Sequence, residues 1–590
     1  MGQTLPFRTA EPDSDAHAGG SCVLRSLLPP PLAEEADKAP HLMEYLHKIP
    51  VADVGVPEYF EKLDRKMGDM EDPNLIYPVG QGVYIHIFPD HSDVRNYYIP
   101  IEPSAEGLDE LLEEIEVRLL DYVDELATAE TDEDRLRVLH LAIDEICQVV
   151  NGKRNGNGAK NGNGAGDAAS KFPLFFFKKK GNGRRRGERI PVNQQEYEAL
   201  RYRIERDKIG VGVLQPLILD PNIEDISCSG LGTVYVEHKV FKGLKSTITF
   251  ENEAELDDFV LRLSERIKKP VTYKNPIVDA TLPDGSRINI VYGGDVSKRG
   301  SNFTIRKFAT TPMSIVEIAM TGSLSWEMAA YLSLIIEEGM NMFVSGETAS
   351  GKTTLMNAVT TFIRPDAKIV SIEDTPELQV PHQNWVREVV RGAMSEADSS
   401  VSMFSLLKAA LRQRPDEIIV GEIRGEEGAI AFQAMQTGHA CMATFHASTV
   451  EKLIQRLTGH PINVPKTYVD NLNVVVIASA VRLPNGKRGR RILSINEIVG
   501  YDPVANSFSF VEVFRWNPLT DEHEFTGYMN SYLLEHRVAP TRGIPKREVR
   551  RVYELVERRA ALLKKLADQG VTDFYDLFKV LTKAQRQGLF

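Results

Sequence analysis

Residues 344–357 read VSGETASGKTTLMN and place Gly346, Gly351, Lys352 and Thr353 in the spacing Gly-x4-Gly-Lys-Thr. That spacing suits the gripping of a polyphosphate. The glycines let successive backbone N–H groups turn inward, and a helix starting at Lys352 adds positive partial charge at its N-terminus. In such a loop the lysine reaches the β- and γ-phosphates, and the threonine hydroxyl ligates Mg2+. The apolar NMFV before it reads as a strand, and GKTTLMNAVTTFI reads as a helix. This context separates a phosphate loop from an ordinary glycine turn. Gly346, Glu347, Thr348, Ala349, Ser350, Gly351, Lys352, Thr353 and Thr354 are the candidate nucleotide contacts.

Splitting the nucleotide needs further groups at neighbouring strand ends, where parallel sheets bind ligands. Three apolar stretches end in suitable side chains: AKIVSIEDTPE at Glu373 and Asp374, RPDEIIVGEIRG at Glu422, and HACMATFHAST at His446. A carboxylate there can polarise water or hold a metal through water. Gly421 stands where phosphate-loop enzymes usually place an Asp, so metal binding by Glu422 is expected to be indirect. Each of these residues alone is equally well a cap, a surface carboxylate or a structural histidine. Beside a phosphate site, His446 becomes a sensor of the terminal phosphate. Cations are also needed around a phosphoryl group in transfer. Arg287, Arg299, Arg306, Arg412, Arg414 and Arg424 are candidates, and for at least half of them a salt bridge is the expected role.

The elements that must position these groups divide the 590 residues into several domains. Residues 1–40 read as a disordered tail and 41–150 as a small α+β domain. In the latter, GVYIHIFP and NYYIPI are strands, and helices run from Leu108 and from Thr131. Residues 151–190 are a flexible linker, rich first in Gly and Asn and then in basic residues. Its Phe175–Phe177, Lys178–Lys180 and Arg184–Arg186 fit a solvated hinge whose phenylalanines plug into a neighbouring domain, with anionic lipid or nucleic acid as the alternative. Residues 191–310 form an α/β unit, 311–505 a doubly wound α/β domain, and 506–590 a strand and helical extension.

The 83 acidic and 70 basic residues leave a net charge of −13, which argues against nucleic acid as a general partner. The four cysteines, Cys22, Cys147, Cys228 and Cys441, form no C-x-x-C pair, against a zinc site. The start of the chain has no apolar signal core, and no apolar run is long enough to span a bilayer. These features are those of a cytoplasmic protein docked on a membrane partner.

Four blocks, GETASGKTT, IEDTPELQ, LRQRPDEIIVGEIRG and TGHACMATFHAST, fall in order and resemble the type II/type IV secretion and pilus-assembly ATPases, in wording closest to archaeal members. They correspond to that family's Walker A, Asp box, atypical Walker B and His box. LILDPNIEDISCSGLGTVYVEH is similar to the opening of its nucleotide-clamping domain. The resemblance implies a RecA-like P-loop ATPase domain preceded by an α/β clamping domain, working as a homo-hexameric ring. It implies ATP and Mg2+ as ligands, Glu373 as catalytic base, and Glu422 and Thr353 near the metal. His446 would contact the γ-phosphate, and Arg287 and Arg306 would close on it from the clamping lobe. The expected function is powering a pilus-like, archaellum-like or type II secretion machine through a polytopic membrane platform protein, at the inner face of the membrane. A conjugative or DNA-translocating motor on the same fold, a nucleotide-gated scaffold and a small-molecule phosphoryl transferase are the alternatives. Glu373, Glu422 and His446 argue against the scaffold, and no lid or acceptor segment is visible for the transferase.

Overall fold

The computed structural model describes residues 5–7, 23–105, 107–150, 189–307, 311–391 and 400–590. The aromatic and basic run at 175–186, and most of the expected linker, lie outside these residues. The chain divides into two compact units at Phe308/Ala309.

The first unit is built on a ten-stranded, largely antiparallel sheet. Its first strands are β1 (Glu58–Tyr59), β2 (Leu75–Gly80), β3 (Val83–Phe88) and β4 (Tyr97–Ile101). A separate pair, β5 (Cys147–Val149) and β6 (Ile190–Val192), follows. The sheet resumes with β7 (Ile223–Cys228), β8 (Gly232–His238), β9 (Lys242–Phe250), β10 (Ile277–Thr281), β11 (Arg287–Val291) and β12 (Asn302–Arg306). The order is β1-β2-β3-β4-β9-β8-β7-β12-β11-β10.

This pairing corrects the expected separation of 41–150 from 191–310. β4 pairs in parallel with β9, Tyr97 opposite Lys245 and Tyr98 opposite Ser246. Lys245 binds Asp90, lies 3.0 Å from Asp93 and sits 4.2 Å over the Tyr97 ring. One core contains Leu75, Tyr77, Ile85 and Tyr98 together with Ile223, Ile226, Val236 and Ile288. Asp220 is fully buried there and accepts hydrogen bonds from the Tyr77 and Tyr98 hydroxyls at 2.6 and 3.0 Å. Two sheet edges that would otherwise leave unpaired backbone groups join instead. The expected tail at 1–40 is also corrected in its described part. Pro30 opens a helix over Pro30–Lys38, and Leu32 and Ala36, one turn apart, bury against Ile76, Tyr84 and Ile99. The helix expected from Thr131 forms, with its hydroxyl accepting the Asp134 N–H at 3.1 Å.

The second unit holds a nine-stranded sheet. In chain order its strands are β13 (Met342–Gly346), β14 (Ile369–Glu373), β15 (Trp385–Val389), β16 (Glu417–Val420), β17 (Ala440–Phe445) and β18 (Val474–Arg482). β19 (Arg488–Asp502), β20 (Ser507–Asn517) and β21 (Glu522–Glu524) complete it. The order is β15-β14-β16-β17-β13-β18-β19-β20-β21. Strands β13–β18 run parallel, and β19–β21 add antiparallel ribbons. Every residue of β13, β14, β16 and β17 is buried, as required of strands covered on both faces. One face packs on helices Trp326–Glu337 and Val552–Asp568, and the other on Met403–Gln413, Glu427–Gln436 and Val450–Thr458. This is a mixed α/β architecture with a doubly wound parallel centre.

The boundary expected at 505 does not divide this unit. β20 pairs along β19, and Val513, Phe514, Leu533, Leu534, Tyr553 and Leu563 belong to the same core as Met342 and Leu355. Buried Glu497 accepts from Tyr331 at 2.7 Å, Ser531 at 2.6 Å and the Leu533 N–H at 3.1 Å, tying these segments together. Arg542 reaches Glu337 at 2.6 Å and Glu338 at 2.7 Å. Residues after 505 are core because they cover one face of the parallel sheet.

Candidate active site

Four adjacent parallel strands, β14, β16, β17 and β13, deliver their C-terminal ends to one edge of the second unit. β13 ends at Gly346, and the turn after it leads into the helix Lys352–Val359. Glycine is required at 346, because a Cβ there would stand 2.1 Å from the Ala478 carbonyl oxygen on β18. Ala349 and Gly351 have φ of 62° and 91°, which folds the loop back over the helix start. Glu347, Thr348 and Ala349 are exposed. Ser350 is buried, and its hydroxyl has no hydrogen-bond partner among the described residues. Lys352 is 9% exposed, and its Nζ donates to the carbonyls of Gly346 at 3.0 Å and Glu347 at 2.8 Å.

β14 ends in Glu373, which is 2% exposed. Its Oε1 accepts the N–H groups of Glu377 and Leu378, both at 2.8 Å, and its Oε2 lies 3.4 Å from Arg387 Nε. Burial pushes this carboxyl above its ordinary value, although those N–H groups and Arg387 pull the other way. On the neighbouring strand Gly421 donates to the Ile372 carbonyl at 2.8 Å, and a Cβ at 421 would meet Glu373 Cγ at 3.1 Å. The absence of an Asp at 421 thus has a steric counterpart: the space is taken by Glu373.

Past the end of β16, Glu422 Oε1 lies 3.0 Å from His446 Nε2, and its Oε2 accepts from Arg424 Nη2 at 2.6 Å. Arg424 Nη1 is 3.7 Å from Asp374. Burial raises the Glu422 carboxyl, but Arg424, His446 and Lys352 outweigh it and hold it below its ordinary value. His446 follows β17 directly. Its Nδ1 lies 3.5 Å from Lys352 Nζ, and Arg456 donates to its carbonyl. Burial and then Lys352 lower its imidazole, with Glu422 opposing. A neutral ring with its proton on Nε2 satisfies both neighbours. Ser345 locks the two strand ends together: its hydroxyl donates to the Ala447 carbonyl at 2.7 Å and accepts the Ala447 N–H at 3.0 Å.

The site therefore gathers Lys352, His446 and Glu422 into one connected chain, with Glu373 on the adjoining strand end. The buried, unpartnered Ser350 hydroxyl and the inward-turning loop suit a polyphosphate. The Thr353 hydroxyl makes no hydrogen bond among the described residues, and a hydroxyl with a carboxylate is an oxygen donor set that suits Mg2+. Arg287 and Arg306 belong to the first unit, opposite one another on β11 and β12. Arg287 lies 3.8 Å from Asp279, and Arg306 Nε donates to Asp225 at 2.9 Å. With Arg424, that makes three of the six sequence candidates engaged by carboxylates. Arg387, Arg456 and Arg490, which touch Glu373, His446 and the loop carbonyl of Ala349, were not singled out in the sequence. Arg387 lies within β15, Arg456 in the helix that follows β17 and Arg490 in β19, and nothing local in the sequence marks them.

Residues 208–487 match the family described as type II/IV secretion system protein. The uncharacterized protein MJ0900 of Methanocaldococcus jannaschii is 41% identical over 564 residues, covering 95% of this chain and 97% of that protein. A probable conjugal transfer protein, TrbB, of Sinorhizobium fredii is 30% identical over 284 residues, covering 47% of this chain and 84% of TrbB. Among solved structures, the VirB11 ATPase of the Brucella suis type IV secretion system, in complex with sulphate, is 25% identical. It covers 48% of this chain and 91% of VirB11, with a TM-score of 0.25.

Proposed function

The chain belongs to the type II/IV secretion system protein family, and on that premise we propose that it is an ATP-hydrolysing motor that works as a hexameric ring. The observation that carries this reading is the convergence of Lys352, His446, Glu422 and Glu373 on four adjacent strand ends. In the proposed reaction the backbone N–H groups of 346–351 and the Lys352 ammonium hold the β- and γ-phosphates. Glu373, buried with a raised carboxyl, takes the proton of the attacking water. Mg2+, when bound, neutralises charge shared by the β- and γ-phosphates; Thr353 would hold it directly and Glu422 through water. His446 donates to the γ-phosphate when it is present and returns to Glu422 when it has left. Arg287 and Arg306 supply positive charge to the phosphoryl group, either within one subunit or from a neighbour.

The work done is proposed to be the assembly of a pilus-like, archaellum-like or type II secretion machine at the cytoplasmic face of the membrane. Docking on a polytopic platform protein would place it there. Among the described residues no helix is long and apolar enough to cross a membrane. The match to a conjugal transfer protein favours a conjugative motor as the second reading, but the net charge of −13 weighs against nucleic acid as the direct partner.

Glu422→Gln tests the reading. It keeps the size of the side chain and removes the charge. ATP binding, measured by titration, is expected to stay within a fewfold of the unaltered chain, and phosphate release is expected to fall about 100-fold or more. Undiminished release would remove Glu422 from the reaction.

A further inference from the structure

Arg490 touches the phosphate loop from a strand outside the loop's own motif. It lies in β19, is exposed, and donates from Nε to the Ala349 carbonyl at 3.1 Å. A Cβ on Gly351 would stand 3.4 Å from its Cδ. The strand that carries it is anchored independently. Arg491, 6% exposed, donates to the two carboxylate oxygens of Asp521 at 2.7 Å each and to the carbonyl of Arg490 at 2.9 Å. On the other side Arg490 pairs with Ala480 of β18, and β18 lies directly beside β13, where the loop begins. The guanidinium is delivered to the loop by fixed backbone.

Ala349 is a non-glycine residue with φ of 62°, a conformation that needs outside support. In a planar trans peptide the carbonyl and the following N–H point in opposite directions. Holding the Ala349 carbonyl on the Arg490 side therefore turns the Ser350 N–H the other way, toward the Glu347 carbonyl that also accepts from Lys352 Nζ. That N–H has only a long 3.4 Å contact with the Glu347 carbonyl. A polyphosphate in a glycine loop is held by backbone N–H groups that turn inward.

We propose that Arg490 is a positioning residue for ATP: it fixes the tip of the phosphate loop so that the Ser350 N–H faces the phosphates. The proposal rests on the reading of the loop as a nucleotide site. An exposed guanidinium on a neutral carbonyl adds little to folding stability, so the effect falls on ligand binding rather than on the fold.

The test uses the full chain with Arg490→Ala and Arg490→Lys, measuring KM and kcat for ATP by phosphate release and the thermal midpoint without nucleotide. Arg490→Ala is expected to raise KM about tenfold, with kcat within about twofold and the midpoint unchanged, the pattern of lost uniform binding. Arg490→Lys, which can still donate to the carbonyl but lacks the planar fork, is expected to recover part of that loss. An unchanged KM, a fall in kcat alone, or a lowered midpoint in Arg490→Ala overturns the proposal. If the unaltered chain binds ATP without hydrolysing it, the motor reading fails while the Kd ratio of the two proteins still decides the role of Arg490. If the unaltered chain binds no ATP, both fall.

Discussion

Glu373 and Glu422 sit on adjoining strand ends, and their surroundings push their carboxyls in opposite directions. Glu422 is held down by Arg424, His446 and Lys352 against the effect of burial, so it stays ionised and serves as a fixed negative charge. Glu373 is raised by burial, which brings it nearer the pH at which a base can both exist and accept a proton. The sign follows directly. A base must be ionised, and a raised carboxyl loses ionisation on acidification at a higher pH than a free one. The acid limb of kcat/KM for ATP is therefore expected above the ordinary value of 4.5 for glutamate. His446 does not supply that limb at its own ordinary value, because its imidazole is lowered and stays neutral to more acidic pH. Glu373→Gln is expected to lower kcat roughly 100-fold and to abolish the limb. A limb that survives in the residual activity would assign it to another group. Glu373, Glu422 and His446 were legible in the sequence because each closes an apolar run near the glycine loop. Arg490 was not, because 141 residues separate it from Ala349 and nothing local records which of many exposed arginines the fold brings back.

At the scale of elements, strand ends do the positioning, and Gly421 shows how little room they leave. β16 ends at Val420, and Gly421 just after it still donates to the Ile372 carbonyl of β14 at 2.8 Å, which holds its backbone close against Glu373. Gly421→Ala places a Cβ 3.1 Å from Glu373 Cγ and 3.4 Å from its Cα and Cβ. The carboxylate must shift by a few tenths of an ångström at the least. Turnover is expected to fall roughly tenfold or more, with a stability loss of only about 1 kcal/mol. Phosphate release beside a thermal melt separates the two effects, and unchanged release would mean that Glu373 does not need its present position. Four of the parallel strands, β13, β14, β16 and β17, were readable as short apolar runs, since burial on both faces leaves no alternation to disguise them; β15, only partly buried, was not. The ribbon strand β20 was readable as strand-like, but β19 and the attachment of both to the same sheet were not. Pairing partners depend on which edge is left open, and β18 offers that edge only after β13 has been placed between β17 and β18.

At the scale of the molecule, a shift in composition along the chain does not mark where one core ends and the next begins. The Gly- and Asn-rich run begins at 151, yet β4 before it and β9 after it share a sheet. A linker in sequence separates segments of chain, and the sheet decides which segments belong together. In the same way 506–590 read as an appendage because no known motif falls there, while Arg559 from that region is 6% exposed and binds Ser333 and Glu337. The two units meet in sequence at Phe308/Ala309, directly after Lys307, whose ammonium is held by the carbonyls of Leu217 at 3.1 Å and Ile218 at 2.6 Å. Arg306, proposed to act on the phosphoryl group, ends β12 directly before it, so its backbone is set by a half-buried anchor within its own unit.

The most direct measurement is phosphate release from ATP and Mg2+ by the full chain, beside Lys352→Ala in the same conditions. Sustained release by the unaltered chain and a fall of about 100-fold or more in the variant is the expected result. Equal release by both would place the hydrolysing site somewhere other than the strand ends around the phosphate loop.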